Sequence, residues 1–388
     1  MKTIRKEHRR IKPFMVILIE LLILAVVIVL PRFIPSKIAD IYCRNIFPTV
    51  SVAGNIFTGI FQISLTENLI VTGAPMLFLL IIAFTVIVLI KCFGRGVGRF
   101  VYDVMKKVLV IAIIGGIIFQ LMHGMNYQRT PVRKLMRFDN DDYSIEAYEE
   151  ALHWAYVNML DARRRLGEDF LGTAHLSEGF EMNVIHANYL VDELSEDYDL
   201  GLSQNFVRAK PVSMSKYWSL TQIVGMYDPF LGEANINTGY LDVTDFPHTL
   251  CHELAHAKGF ASETDCNIIA ALACTRSARA DFRYAGFLYI YQDLFSVLYR
   301  NAVYNGGELP SFLDASQLAP VYRDLKAAGE YWEMISHMFM SDEIAEVSEN
   351  ANDTFLRANG EKGTVTYNVP EDIYVDYYMT YIKGASNA

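Results

Sequence analysis

Three long apolar runs dominate the first third of the chain, and nothing like them recurs afterwards. They cover Pro13–Pro31, Leu69–Ile90 and Val108–Met125, and the middle one holds 22 residues without a charge. A helix rising about 1.5 Å per residue crosses a hydrocarbon core of about 30 Å in roughly 20 residues, so each run predicts a transmembrane helix. The first run follows a basic leader as a signal peptide would, but Arg32 and Pro35 stand where a small-residue cleavage site belongs. The pattern therefore predicts an uncleaved helix. Its single charge, Glu20, is expected near the cytoplasmic end. A fourth stretch, Ile46–Leu65, is fairly apolar but is interrupted by Gly54 and Gly59 and by Thr49, Ser51, Asn55, Thr58, Gln62 and Ser64. An interfacial or re-entrant piece is expected there, because a fourth span would move the rest of the chain to the other side of the membrane.

After residue 125 the periodicity becomes that of a globular domain. Tyr143–Leu166 reads as a helix: Ser144 can cap it, and Ile145, Tyr148, Leu152, Ala155, Tyr156, Met159 and Leu160 recur at helical spacing. Lys210–Leu241 mixes β-formers with Gly and Pro breaks, which predicts short strands and turns. Pro247–Gly259 reads as a helix stopped by Gly259, Asp265–Tyr299 as a long helical region, and Asn352–Thr366 as a helix with turns at Gly360 and Gly363. The expected organisation is a membrane region over 1–125 and an α+β, mostly helical domain over 126–388.

Charge divides at the same place. Residues 1–124 carry 14 Lys/Arg against 5 Asp/Glu; with −10 for the whole chain, −19 remains for the rest. So acidic a domain is a poor partner for nucleic acid or an anionic lipid surface. The leader has six basic residues, and Lys91, Arg95, Arg99, Lys106 and Lys107 lie between the second and third runs. By the positive-inside rule both segments face the cytoplasm, which puts residues 126–388 of a multi-pass protein outside the membrane. Five cysteines (43, 92, 251, 266, 274) fit no zinc-ribbon or disulfide spacing and read as small buried residues.

The chemistry concentrates at His252-Glu253-Leu254-Ala255-His256. Residues i and i+4 share one helical face, so both imidazoles can reach one zinc ion at about 2.0–2.1 Å. Glu253, one position on, can reach a water on that metal and serve as general base. Two stray histidines on a surface helix are the bland alternative, and only nine histidines in the chain argue against it. Catalytic zinc takes a third protein ligand. Gly259 lets the chain fold back, so Glu263 is the expected ligand and Asp265 the alternative. Asn267, four residues after Glu263, is placed to hold a ligand imidazole.

The run from His252 to Asn267 resembles an uncharacterised family of bacterial membrane proteins, a domain of unknown function with a zincin-type motif. Gly124–Pro131, Gly232–Thr238 and Asn352–Gly360 resemble it too, and together these stretches cover most of 108–378. That family tends to read Glu-Asp-Glu-Ala-Asn after the helix; here Glu263-Thr264-Asp265-Cys266-Asn267 keeps the first Glu and the Asn. The resemblance implies a zincin-like peptidase architecture without a known substrate. In the broader zincin pattern an Asp stands where this chain has Asn267, which implies a less basic ligand. By analogy with zincins that bind peptide along an edge strand, Asn235 and Asn237 become substrate-binding candidates. Tyr284, Tyr367 and His337 are candidates for an oxyanion donor. The expectation is a zinc metallopeptidase of the bacterial cell membrane, an endopeptidase acting on protein or peptide substrates. A non-catalytic zinc-containing sensor or assembly factor is the alternative, and an intramembrane protease ranks below both.

Overall fold

The computed structural model describes residues 13–92, 96–138, 140 and 142–384. The basic leader and Arg95 lie outside these. Among the described residues, three helices are long and apolar enough to cross a membrane: Pro13–Phe33, Leu65–Cys92 and Val97–Met122. The first comprises α1 (Pro13–Val29) and a 3-10 turn; the others are α4 and α5. The helices run past the apolar stretches. Val97–Lys107 is polar yet stays helical, because extending an existing helix costs far less than nucleating one. At its other end α5 stops at Met122, before the expected Met125, and a 3-10 turn over Gly124–Gln128 takes over.

Between α1 and α4 lie α2 (Ser36–Asn45) and α3 (Phe47–Gly59). They do not join the spans but pack against the domain that follows α5. The Ser51 hydroxyl donates to the Ala257 carbonyl, and Lys210 Nζ donates to the carbonyls of Thr58 and Ile63. A boundary at residue 125 therefore fails to separate the packed domain from the membrane region, since Ser36–Glu67 belongs to the former. The reason is the polarity of α3. Its Ser51 and Thr58 are buried against the domain, while Ile56, Phe57 and Ile60 are 66%, 57% and 72% exposed. Helix α3 thus hides its polar side and displays its apolar one, as suits an element between a protein and lipid. Because α2–α3 and the C-terminal domain touch, both lie on the same side of the three spans.

The domain is mostly helical. A short α6 (Val132–Leu135) leads to α7 (Ile145–Arg164), whose N-cap Ser144 accepts from the Ala147 N–H, and α8 (Phe180–Asp197) follows. Strand β1 (Lys210–Val212), α9 (Ser215–Trp218), β2 (Gly225–Asp228) and β3 (Glu233–Asn237) come next. Then come α10 (Phe246–Lys258), α11 (Glu263–Thr275), α12 (Ala280–Asn305), α13 (Ala315–Ser336), α14 (Ser341–Ala358) and α15 (Ile373–Tyr377). The predicted single helical region over 265–299 is two helices, broken at Arg276–Arg279. They pack closely because Gly286 has no side chain: a Cβ there would stand 2.6 Å from Cys274 Cβ. One hydrophobic core joins α7, α8, α10, α11 and α12.

The sheet has the order β1-β3-β2, with β1 parallel and β2 antiparallel to β3. Strand β3 is therefore the centre of the sheet, not the edge expected for Gly232–Thr238. The strand that passes the middle of α10 with one side free is β2.

Candidate metal site

Helix α10 begins with Pro247 in its first turn and ends at Gly259, whose φ of +121° suits a residue without a side chain. The space there is closed as well, since a Cβ would lie 3.0 Å from the Phe47 ring. This tight stop lets the chain reverse in four residues and start α11 at Glu263. His252, His256 and Glu263 meet there, with one ligand atom from each, all within 4.8 Å of one another. Glu263 Oε2 lies 3.1 Å from His252 Nε2 and 3.2 Å from His256 Nε2, and the two Nε2 atoms are 3.1 Å apart. All three residues are buried.

The other ring nitrogens are already engaged. His252 Nδ1 lies 2.7 Å from Asn267 Oδ1, and His256 Nδ1 lies 3.0 Å from the Phe260 carbonyl. Both partners are acceptors, so each Nδ1 carries its proton and each Nε2 keeps a lone pair facing Glu263. Asn267 is itself held, its Nδ2 donating to the Tyr367 carbonyl at 2.7 Å. Two imidazole lone pairs and a carboxylate oxygen, all buried and convergent, fit a zinc ion. Burial alone would raise the Glu263 pKa, but the two imidazoles hold it well below the usual carboxylate range. Asp265 points elsewhere. It accepts the Val132 N–H at 2.9 Å, and burial pushes its pKa up to about 7.

Glu253 is buried beside the cluster with Oε2 unpaired, while the Tyr227 backbone N–H donates to its carboxyl. Desolvation raises its pKa; His252 and His256 oppose that rise, and Glu263 adds to it. Beside β2 and the first turns of α10 opens a cavity of about 250 Å³, with Val224, Tyr240, Asp242, Thr249, Tyr289 and Trp332 in its wall.

The supporting residues sort differently from the sequence reading. Tyr367 belongs to the site: its ring stacks on His252 at 6.4 Å, and its hydroxyl accepts from Asn352 Nδ2 at 3.2 Å. Tyr284 does not. It is fully buried elsewhere, donating to Asp324 Oδ2 at 2.9 Å in a knot with Arg163 that ties α7, α12 and α13 together. His337 is a surface residue at the end of α13, its side chain 77% exposed. Asn235 and Asn237 brace the sheet from its central strand. Asn235 accepts from the Ser64 hydroxyl at 2.6 Å, and Asn237 Nδ2 donates to Ser219 Oγ at 2.8 Å. Neither amide is free for a peptide.

Four further side chains line the site. The His123 ring lies 5.8 Å from that of His256, the Tyr227 ring stacks on His256 at 6.3 Å, and His248 stacks on Tyr289 at 4.0 Å. The Tyr127 hydroxyl is buried without a partner, and the charge of Glu263 raises its pKa after burial does. His248 was signalled by spacing, since it continues the i, i+4 series of His252 and His256 backwards. Four of the nine histidines collect here.

Three apolar helices and a buried His/His/Glu cluster under a small sheet define a membrane-associated, mostly helical protein with a candidate cation site. Over residues 42–371 the chain matches a family described as a protein of unknown function, DUF3810. With that share of its length matched, the chain belongs to this family. No curated protein and no solved structure matches it.

Proposed function

We propose that this protein is a membrane-bound, zinc-dependent peptidase whose catalytic domain faces away from the cytoplasm. One observation carries the reading: the Nε2 lone pairs of His252 and His256 converge on Glu263 while the carboxyl of Glu253 waits beside them with an unpaired oxygen. His252, His256 and Glu263 would hold the zinc, and Asn267 and the Phe260 carbonyl would fix the two rings. Bound zinc supplies Lewis-acid polarisation of water and of a peptide carbonyl. Glu253 takes the proton of the attacking water and returns it to the leaving amine, a task that suits a carboxyl with a pKa above its solvent value. Burial excludes bulk water and strengthens every charge interaction in the site. The hydroxyls of Tyr367 and Tyr127 are the donors best placed to stabilise a developing oxyanion. The Lys/Arg bias described above supports the orientation.

A purely structural zinc site needs no carboxyl next to its ligands, which weighs against a zinc-holding sensor or assembly factor. The test compares peptide termini in cells carrying the wild type and Glu253→Gln. The expected result is a set of termini that vanish in the variant while its zinc content stays the same. Unchanged termini with zinc still bound would favour the sensor reading.

A further inference from the structure

The metal cluster sits at the very end of a membrane-spanning helix. His123 directly follows Met122, the last residue of the Val97–Met122 span, and its ring is 5.8 Å from that of ligand His256. With polar Val97–Lys107 at one interface, Val108–Met122 rises roughly 22 Å at about 1.5 Å per residue, within a hydrocarbon core of about 30 Å, so Met122 lies no further out than the far edge of the apolar layer. The cluster therefore stands at headgroup depth.

Strand β2 descends from it. Gly225 lies over Glu253; three residues on, the chain turns at Asp228, and Phe230 packs on Phe119 of α5 with ring centroids 6.1 Å apart. Phe230 also closes on Gly115, where a Cβ would be 4.0 Å from its ring. Gly115 is seven residues before the end of α5, about 10 Å deeper. The β2–β3 turn thus dips into the apolar layer, and Phe230 is 55% exposed there. Beneath it a cavity of about 250 Å³ opens between α1 and α5, walled by Ile28, Gly116, Phe119, Gln120, Tyr127 and Phe230. Gln120 Oε1 and the Tyr127 hydroxyl are buried there without partners, and the Tyr127 ring lies 5.1 Å from that of His123, the neighbour of His256. One wall thus belongs both to the cavity at membrane depth and to the metal site. Helix α3 meets the end of α5, where a Cβ on Gly54 would stand 3.0 Å from Met122 Cε, and it leaves Phe57 exposed.

We infer that the substrate is a membrane-anchored polypeptide cut just outside its anchor. The anchor-side residues occupy the cavity between α1 and α5, and the strand leading from them runs along β2 to Glu253. A freely soluble protein would have to bring its chain down to the headgroups, whereas an anchored one has a segment there already. The unpaired Gln120 and Tyr127 oxygens suit the backbone N–H groups of an extended chain, which the lipid tails beside them cannot supply.

This rests on the peptidase reading, and the experiment separates the two. The termini that depend on Glu253 are mapped onto the proteins that carry them, in cells expressing the full chain. The expected result is termini within about six residues, or ~20 Å of extended chain, of a transmembrane segment or lipid anchor. Phe230→Asp, which places a charge at the depth of Gly115, is expected to lower those products at least tenfold with zinc content unchanged. Glu253-dependent termini in soluble proteins, or far from any anchor, would overturn the inference and leave the peptidase standing. If Phe230→Asp loses zinc, Ile28→Asn in the α1 wall of the same cavity replaces it with the same expected loss of products; equal products from a zinc-bound variant and wild type would also overturn the inference. Absence of any Glu253-dependent terminus would remove both readings together.

Discussion

Gly225 of β2 lies directly against Glu253: a Cβ at residue 225 would stand 2.5 Å from Glu253 Oε1 and 2.7 Å from its Cγ. Gly225 has no positive φ, so space alone demands glycine here. Gly225→Ala is expected to push the Glu253 carboxyl aside and leave the ligands in place, since the three atoms nearest the added Cβ all belong to Glu253. A catalytic group misplaced by about 1 Å costs on the order of 10²-fold in rate, and a loss of that size in kcat is expected. Zinc stoichiometry, measured on the same preparation, is expected to remain that of the wild type. A fully active Gly225→Ala protein would show that Glu253 does not act as base from this position.

The bond from Asn267 to His252 makes a separate prediction. Asn267 Oδ1 holds Nδ1 of the ligand ring, and Asn267 Nδ2 is anchored on the Tyr367 carbonyl. Removing such a partner typically lowers metal affinity about 10–100-fold, because ring orientation and tautomer are no longer imposed. Asn267→Ala is expected to lose zinc to a competing chelator at correspondingly lower chelator concentration. His252→Ala, His256→Ala and Glu263→Ala, which remove ligand atoms, are expected to retain no stoichiometric zinc. Asp265→Asn is expected to keep its metal, since Asp265 is turned to the Val132 N–H.

These two sites show what was legible beforehand. His252, Glu253, His256 and Glu263 could be placed because their geometry is local: a helical i, i+4 pair, then a glycine stop and a short reversal. Asn267 followed from the same periodicity on α11. What could not be read came from pairing between distant segments. Nothing in Glu233–Asn237 tells that β1 joins it on one side and β2 on the other, and so Asn235 and Asn237 looked like edge residues. Tyr284 and Tyr367 are both tyrosines on otherwise ordinary stretches, and only tertiary packing sends one to Asp324 and the other to His252. Hydropathy gave the three spans; the reach of α5 to His123, beside His256 of the candidate site, needed the three-dimensional arrangement. The segment 46–65 had a mixed pattern for a physical cause, since α3 buries Ser51 and Thr58 against the domain and leaves Ile56 and Phe57 exposed.

A buried ion pair inside the sheet helps to hold that segment in place. Lys210 Nζ is 2.5 Å from Glu233 Oε1, both side chains are almost completely inaccessible, and Glu233 also accepts the Thr66 N–H at 2.8 Å. Lys210 in turn holds the Thr58 and Ile63 carbonyls. Breaking a buried pair by removing one partner strands the other charge and costs about 3–5 kcal/mol. Lys210→Met is expected to destabilise the protein by that order, read as a lowered thermal midpoint in detergent. The double variant Lys210→Met, Glu233→Gln is expected to recover part of the loss, because the stranded carboxylate is gone. Protease cleavage between residues 60 and 64 is expected to rise in the single variant, as the carbonyls of Thr58 and Ile63 lose their donor.

Acid sensitivity follows from His248. Its ring is buried against Tyr289 at 4.0 Å, Nε2 has no partner, and burial, aided by the charge of His252, holds its pKa down to about 3. The unfolded chain would titrate this imidazole near 6.5, so between those values the unfolded state binds more protons than the folded one. The stability supplied by a neutral His248 is therefore complete above about pH 6.5 and is lost progressively as pH falls towards 3. At pH 5 one such group accounts for about 2 kcal/mol, which for a domain of this size corresponds to roughly 4–8 °C in Tm. His248→Phe keeps the ring stack on Tyr289 and removes the titration. Both proteins are to be stripped of metal with chelator, so that proton-driven release of zinc contributes nothing. The fall in Tm from about pH 7.5 to about pH 5 is then expected to be smaller in His248→Phe than in the wild type by that margin, whatever the change in Tm at pH 7.5. Parallel curves for the two proteins would mean that His248 is already protonated in the folded state, contrary to its buried position between α10 and Tyr289.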